Sequence, residues 1–250
     1  MKINKKGIGQ AMLHILLCVL LLVWLYPIIF AVCNSFKTTQ DALNHVLSLI
    51  PQEFTVDNYM HVFETLPFIR ITCNTLLIAL TVTAIKMVTS FMAAYGLVFF
   101  DMKGKGIVYF FMLSTMFIPF TVTMIPNYLL ISKWKLADSI LGVMLPQFAD
   151  VLGIFMLRQS MRTIPKALIE VAKLDHISHK KRMLEIILPI VKPAIYSTGI
   201  IFFINSWNEY VWPVLILKSK ENYTLSLALQ MYISAEAGTN FPLAIEVSVM

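Results

Sequence analysis

The side chains able to do chemistry fall into three groups. Lys86 and Asp150 each stand near the middle of a long apolar run. A lysine at that depth costs at least about 2.5–3.5 kcal/mol on insertion scales, so something must compensate it. Three accounts stay open: a buried Lys86–Asp150 ion pair, Lys86 facing a water-filled path and drawing an anionic solute, or Lys86 lining a wet cavity without touching the solute. Asn205, Trp207, Asn208 and Glu209 cluster in the second half of another apolar run. Stacking rings with hydrogen-bonding side chains suit a sugar or polyol. Trp207, Tyr210 and Trp212 equally suit an aromatic belt at a membrane boundary.

The third group lies in residues 164–194, IPKALIEVAKLDHISHKKRMLEIILPIVKPA. Pro165 suits the first turn of a helix, and Pro189 and Pro193 are expected to limit a second helical piece. Leu168, Val171, Ala172 and Leu174 supply an apolar face, with Lys166, Glu170, Lys173 and Asp175 left in water. A helix-turn-helix at a membrane surface is the simplest reading. An ordinary interfacial helix, with Lys180, Lys181 and Arg182 on lipid headgroups, is the competing one. His176 and His179 share a helix face, but no cysteine or carboxylate completes a ligand set at sensible spacing, so no metal is expected.

Other chemistries find no support. There is no glycine-rich loop ending in Lys-Ser/Thr to hold a nucleotide, and no nucleophile arrangement or supported carboxylate pair. The chain is not expected to be an enzyme by itself, nor to need a cofactor of its own.

The elements that position these residues follow from composition. Of 250 residues 58% are hydrophobic and only 14% charged, and mean hydropathy is +0.75. A soluble domain carries about 25% charged residues, so an integral membrane protein is implied. With roughly 20 apolar residues per span, the length holds about five to seven spans. Five runs qualify, at about 11–33, 71–100, 107–131, 140–157 and 193–217, leaving 34–69 as an extramembrane loop and 158–192 as a long polar segment. The first run is too long, and lacks the cleavage site, for a secretory signal.

Basic residues set orientation. With the N-terminus in the cytoplasm, that side holds Lys2, Lys5, Lys6, Lys103, Lys105 and the eight basic residues of 158–192. The other side holds Lys37, Arg70, Lys133, Lys135, Lys218 and Lys220, so N-in is favoured. The net charge of +6 is thus read as membrane placement and not as nucleic-acid binding.

The run Glu170, Val171, Ala172, then Asp175, Leu188, Pro189 and Pro193 resembles, without a gap, the cytoplasmic EAA loop of permease subunits of binding-protein-dependent ABC importers. Phe155 to Gln159 (FMLRQ), Ala93 to Gly96 (AAYG) and Asn205 to Pro213 (NSWNEYVWP) are similar to the maltose and glycerol-phosphate branch of the carbohydrate importers. The likeness runs over nearly the whole chain. It implies an all-α polytopic membrane helix bundle forming a single permease domain over 1–250. It further implies a multi-pass subunit of the cell membrane that imports carbohydrate or glycerol-3-phosphate. Lys86 fits glycerol-phosphate members better than neutral-sugar ones.

By the same resemblance, 158–192 is a coupling loop seated on a separate ATP-hydrolysing subunit, with Leu168, Glu170, Val171, Ala172, Asp175 and His176 as coupling residues. Implied partners are a homologous permease chain, two ATPase subunits, an extracellular substrate-binding protein and membrane lipid, with ATP bound by the partner subunit. Lys86, Asp150, Asn205, Trp207, Asn208 and Glu209 are the candidate substrate path. His176 departs from the family, which has glycine there, a residue that takes positive φ freely. The family's core ends with a sixth span and a basic tail; residues 240–250 resemble only the start of that helix, so most of the span is expected to be missing. Two other readings compete: an ion-coupled secondary transporter with Lys86 and Asp150 as relay, and a truncated permease fragment that does not transport.

Overall fold

The computed structural model describes residues 5–236, so the expected beginning of a sixth span at 240–250 lies outside the described residues. In hydrocarbon a helix satisfies its own backbone, and most of the described residues are helical, with one isolated bridge between Lys37 and Phe54. In chain order the helices are α1 (Lys5–Ser35), α2 (Thr39–Asn44), α3 (Asp57–Thr65), α4 (Phe68–Phe99), α5 (Lys105–Thr115), α6 (Phe120–Lys133), α7 (Ile140–Met144), α8 (Val151–Arg162), α9 (Lys166–Leu174), α10 (His179–Lys181), α11 (Leu188–Asn208), α12 (Val211–Ile216) and α13 (Leu225–Glu236). A 3-10 turn, Leu145–Gln147, extends α7, and a π-helical segment, Arg182–Ile187, joins α10 to α11.

Among the described residues three stretches are long and apolar enough to cross a membrane, Met12–Ser35, Phe68–Phe99 and His179–Ile216. The other two expected spans are bent pairs. α5 and α6 meet at 95°, and the α7 segment meets α8 at 42°. Pro119 sits at the N-cap of α6 in extended conformation, beyond the Met116 C-cap of α5, whereas Pro126 is tolerated inside α6. The fourth run continues to Arg162, past the expected end at 157.

The fifth span differs most. Pro189 and Pro193 do not limit it, because helix runs on from His179. Pro189 has no N–H for the carbonyl of Glu185, and its ring crowds that carbonyl. The π turn just before it widens the helix there, which is how such a conflict is relieved without a break. The polar segment 158–192 is therefore mostly helix, interrupted only around 163–165 and 175–178.

Contacts divide the chain into two units, one of the chain to Phe68 with the segment from Leu229, the other Ile69–Ala228. In the first, the apolar window of α1 is uncovered, a surface for lipid or another chain. The connection after α1 is organised by Lys37, fully buried, whose ammonium donates to the carbonyls of His45 (3.0 Å) and Ser48 (2.5 Å). Burial pushes the Asp41 carboxyl up, but the N–H groups of Gln52 and Glu53 and the His45 ring outweigh it and hold it below the usual range.

In the second unit α4 is the spine. Its Ile78 and Val82 join Ile131, Val143, Met144, Trp212, Ile216 and Leu227 in one apolar cluster. Its Phe91, Ala94 and Tyr95 join Leu157, Met161, Ile164, Ile169, Ile187 and Val191 in another. Two loops far apart in sequence are clasped by Asp138, which has φ 54°. Its carboxylate accepts the Ser219 hydroxyl and the N–H groups of Ser219 (3.0 Å) and Lys218 (2.9 Å), and these hold it well below the usual carboxylate range.

α8 approaches its neighbours through Gly153, where a Cβ would meet the Phe202 ring and lie 2.6 Å from Ser90 Oγ. Gly153→Ala is expected to cost about 1–3 kcal/mol by overpacking, read as a lower melting temperature in detergent. Gly199→Ala, whose nearest neighbour is Met87 Sδ at 4.0 Å, should leave it unchanged or raise it.

Candidate functional site

The spacing Lys86, Thr89, Ser90 puts three polar side chains on one face of α4, and this face meets the break in the fourth span. Lys86 Nζ lies 3.3 Å from Asp150 Oδ2 and 5.2 Å from the Phe202 ring centroid. Thr89 donates its hydroxyl to the Phe148 carbonyl (2.9 Å), and Ser90 to that of Asp150 (3.4 Å). Asp150 also caps α8, its Oδ1 accepting from the Leu152 N–H at 2.9 Å. One carboxylate thus starts a helix and neutralises a buried cation. Of the three accounts of Lys86, the ion pair is the one with observed geometry. The Lys86 side chain keeps 11% exposure and Asp150 28%, so the pair touches the edge of a less packed region.

The other candidate path residues sit elsewhere. Trp207 and Asn208 line a groove of about 390 Å³ with Leu76, Leu80, Phe203 and Ile204. The Asn208 amide donates back to Ile204, and Glu209 Oε1 accepts from the Trp212 N–H, starting α12 after the helix stops. Asn205 is exposed. Among the described residues no hydrogen bond, ion pair or ring contact joins these four to Lys86 or Asp150. Trp212, grouped with the belt by sequence, is buried and donates Nε1–H to the Gly142 carbonyl.

The 164–194 segment is better ordered than a surface loop. α9 begins after Pro165 and has two apolar sides. Ile169 is buried against Met161, Ile164 and Ile187, and Ala172 is buried as well. Leu168, Val171 and Leu174 are 39%, 55% and 77% exposed. The single apolar face expected from sequence is thus split: Ala172 turns inward with Ile169, a residue the sequence reading passed over. Asp175 is the C-cap, and His176 follows with φ 53°. The His176 N–H bonds to the Lys173 carbonyl and the Ile177 N–H to that of Ala172, both at 3.0 Å, a Schellman closure with histidine in the left-handed position.

After the turn, Ser178 caps the helix that leads into the fifth span. His179 stacks on Phe100 (4.5 Å between centroids) with its Nδ1 3.2 Å from the Tyr95 hydroxyl, tying this start to the end of α4. Arg182 is not on lipid headgroups: it is buried and donates to the Ile177 carbonyl. Glu170 lines a cleft with Lys166 and Lys173. Sequence reading missed Thr89 and Ser90, although their spacing from Lys86 marks them, and Phe202, which nothing in an apolar run marks.

Lys86→Met strands the Asp150 carboxylate. The cost is expected to be about 2 kcal/mol, below the range for fully buried pairs because Asp150 is partly wet. Lys86→Met with Asp150→Asn, which keeps a helix-capping side chain, should recover most of it. Thermal unfolding of the purified variants reads both.

Residues 86–250 match the family model described as binding-protein-dependent transport system inner membrane component. The arabinooligosaccharides transport system permease protein AraQ of Bacillus subtilis (strain 168) is 32% identical over 231 residues, covering 91% of this chain and 82% of that protein. The sn-glycerol-3-phosphate transport system permease protein UgpE of Brucella abortus (strain 2308) is 26% identical over 245 residues, covering 95% and 87%. Among solved structures, a chain of a bacterial ABC transporter that imports the acidic polysaccharide alginate superposes with a TM-score of 0.79 at 20% identity, over 100% of this chain and 93% of that one. The alginate importer shares the fold, and the family match and the AraQ likeness carry the assignment: this chain belongs to the family of inner membrane components of binding-protein-dependent transport systems.

Proposed function

We propose that this chain is one half of the membrane pathway of an ATP-driven importer for carbohydrate or glycerol-3-phosphate, driven by ATPase subunits that dock on α9. Permease subunits of this family are not themselves catalytic. The observation that carries the proposal is the outward ridge of Leu168, Val171 and Leu174. A helix anchored by one apolar side and presenting a second to solvent is built to enter a groove on another protein. Glu170 and Asp175 rim the ridge, and the turn at His176 passes any push on α9 to the helix that becomes the fifth span. A homologous permease chain would cover apolar surface such as that of α1, and a substrate-binding protein would deliver the solute on the far side. The N-terminus and α9 are placed in the cytoplasm, which the distribution of basic residues supports.

The names of the relatives support the two substrate classes. Because Asp150 cancels the charge of Lys86, the pair offers no net attraction to an anion, which favours neutral carbohydrate over glycerol-3-phosphate.

The test begins with pull-down of an ATPase and a second permease by the full chain, followed by uptake in vesicles. Uptake should need ATP and resist uncouplers. Uncoupler-sensitive uptake without any ATPase would establish the ion-coupled reading instead. Leu174→Asp should weaken ATPase capture roughly 30-fold, from about 2 kcal/mol of lost apolar burial, while leaving the melting temperature unchanged. His176→Gly should leave uptake unchanged or raise it, since glycine holds φ 53° without the left-handed penalty.

A further inference from the structure

We propose that the cleft between the end of α4, the start of α5, the end of α8 and α9 binds the phosphate headgroup of an anionic phospholipid. The cleft encloses about 450 Å³. Its floor is apolar, with Leu97, Phe99, Met161 and Ile169, and its rim carries five cations, Lys105, Arg158, Arg162, Lys166 and Lys173, against two carboxylates, Asp101 and Glu170.

Those cations are not spent on the protein's own acids. Among the described residues the ion pairs within 4.0 Å are His45–Asp41, Lys86–Asp150 and Lys181–Glu185, so none of the five has a carboxylate partner. Among the described residues Lys105 donates to the Phe100 carbonyl alone, and the Arg158 guanidinium lies over the Tyr109 ring at 3.7 Å with its Nε buried and lacking an acceptor. Cations gathered on one rim repel each other, and an anion between them removes that cost.

Place and shape choose a lipid over other anions. The cleft lies where α4 ends and α5 and α8 meet the polar segment, at the ends of apolar helices. It opens beside α5, whose Ile107, Val108, Phe110 and Phe111 are exposed. Acyl chains can lie along those side chains while the phosphate enters the cationic rim, the two-part chemistry of an anionic lipid. Arg158 and Arg162, on α8, offer planar donor forks suited to phosphate oxygens. Lys166, Glu170 and Lys173 of the cleft belong to α9, whereas Arg158 and Arg162 belong to α8, so substitution of the two arginines reads lipid binding apart from ATPase docking on α9.

Native mass spectrometry of the full chain from mixed micelles of phosphatidylglycerol and phosphatidylcholine tests it. The wild-type chain should retain phosphatidylglycerol preferentially. Arg158→Gln with Arg162→Gln should lower that occupancy by about tenfold or more, Arg158→Lys with Arg162→Lys should keep much of it, and Lys133→Gln with Lys135→Gln, remote from the cleft, should match wild type. If the double glutamine variant does not fold, Arg162→Gln alone, at an exposed position, gives the same reading with a smaller drop. Excess inorganic phosphate should leave the bound lipid in place. Absence of a lipid preference in wild type, an equal loss in the Lys133 and Lys135 variant, or displacement by phosphate alone would each overturn the proposal.

Discussion

A bent span inside hydrocarbon must have its freed backbone groups answered by protein, since no water is there to do it. In this chain the answer comes from one face of α4. Thr89 and Ser90 take the carbonyls of Phe148 and Asp150, and Lys86 meets the carboxylate that starts α8. The bend, the pair and the close approach at Gly153 are one arrangement, because α8 reaches Ser90 and Phe202 only where it lacks a side chain. The two apolar clusters lie on either side of this polar seam, each with its own stretch of α4. The core of the Ile69–Ala228 unit is therefore two packed regions joined through hydrogen bonds and a salt link. Polar joints are directional, and dispersion contacts are not, so the seam fixes the register of α4 against α8 more tightly than packing would.

The five apolar runs were legible from composition because hydrophobicity over about 20 residues is a coarse quantity that survives without neighbours. The bends were not. Pro119 stands just outside a helix, at the N-cap of α6, while Pro126 and Pro193 sit inside one; the three residues are chemically identical, and what surrounds each decides. Lys86 and Asp150 were legible as charges needing compensation, and their pairing was one of three readings. The contact of Asp138 with Ser219 joins two loops some 80 residues apart, and no local periodicity reports such a meeting. Along α9 apolar residues occur on two sides, so the pattern marks a helix without saying which side is inside; only the neighbours Met161 and Ile187 assign Ile169 inward.

The turn at His176 keeps a local rule with an uncommon residue. Both Schellman bonds form although the left-handed position is held by histidine. Such strain is modest, and histidine tolerates it better than most side chains. The gain is a fixed angle between α9 and the helix that follows, whose first residue is pinned by Phe100 and Tyr95. Rigidity of this kind lets displacement of a short helix become displacement of a long one without being lost in a flexible joint.

The π segment Arg182–Ile187 adds a further constraint. An i to i+5 turn holds about one residue more than a regular one, and each residue turns a helix by about 100°. The side of α11 that faces α8 is consequently offset from the side an unbroken helix from His179 would present. Which residues of the fifth span look into the protein and which look toward lipid is thus decided by counting within a single turn upstream, and not by the composition of α11 itself.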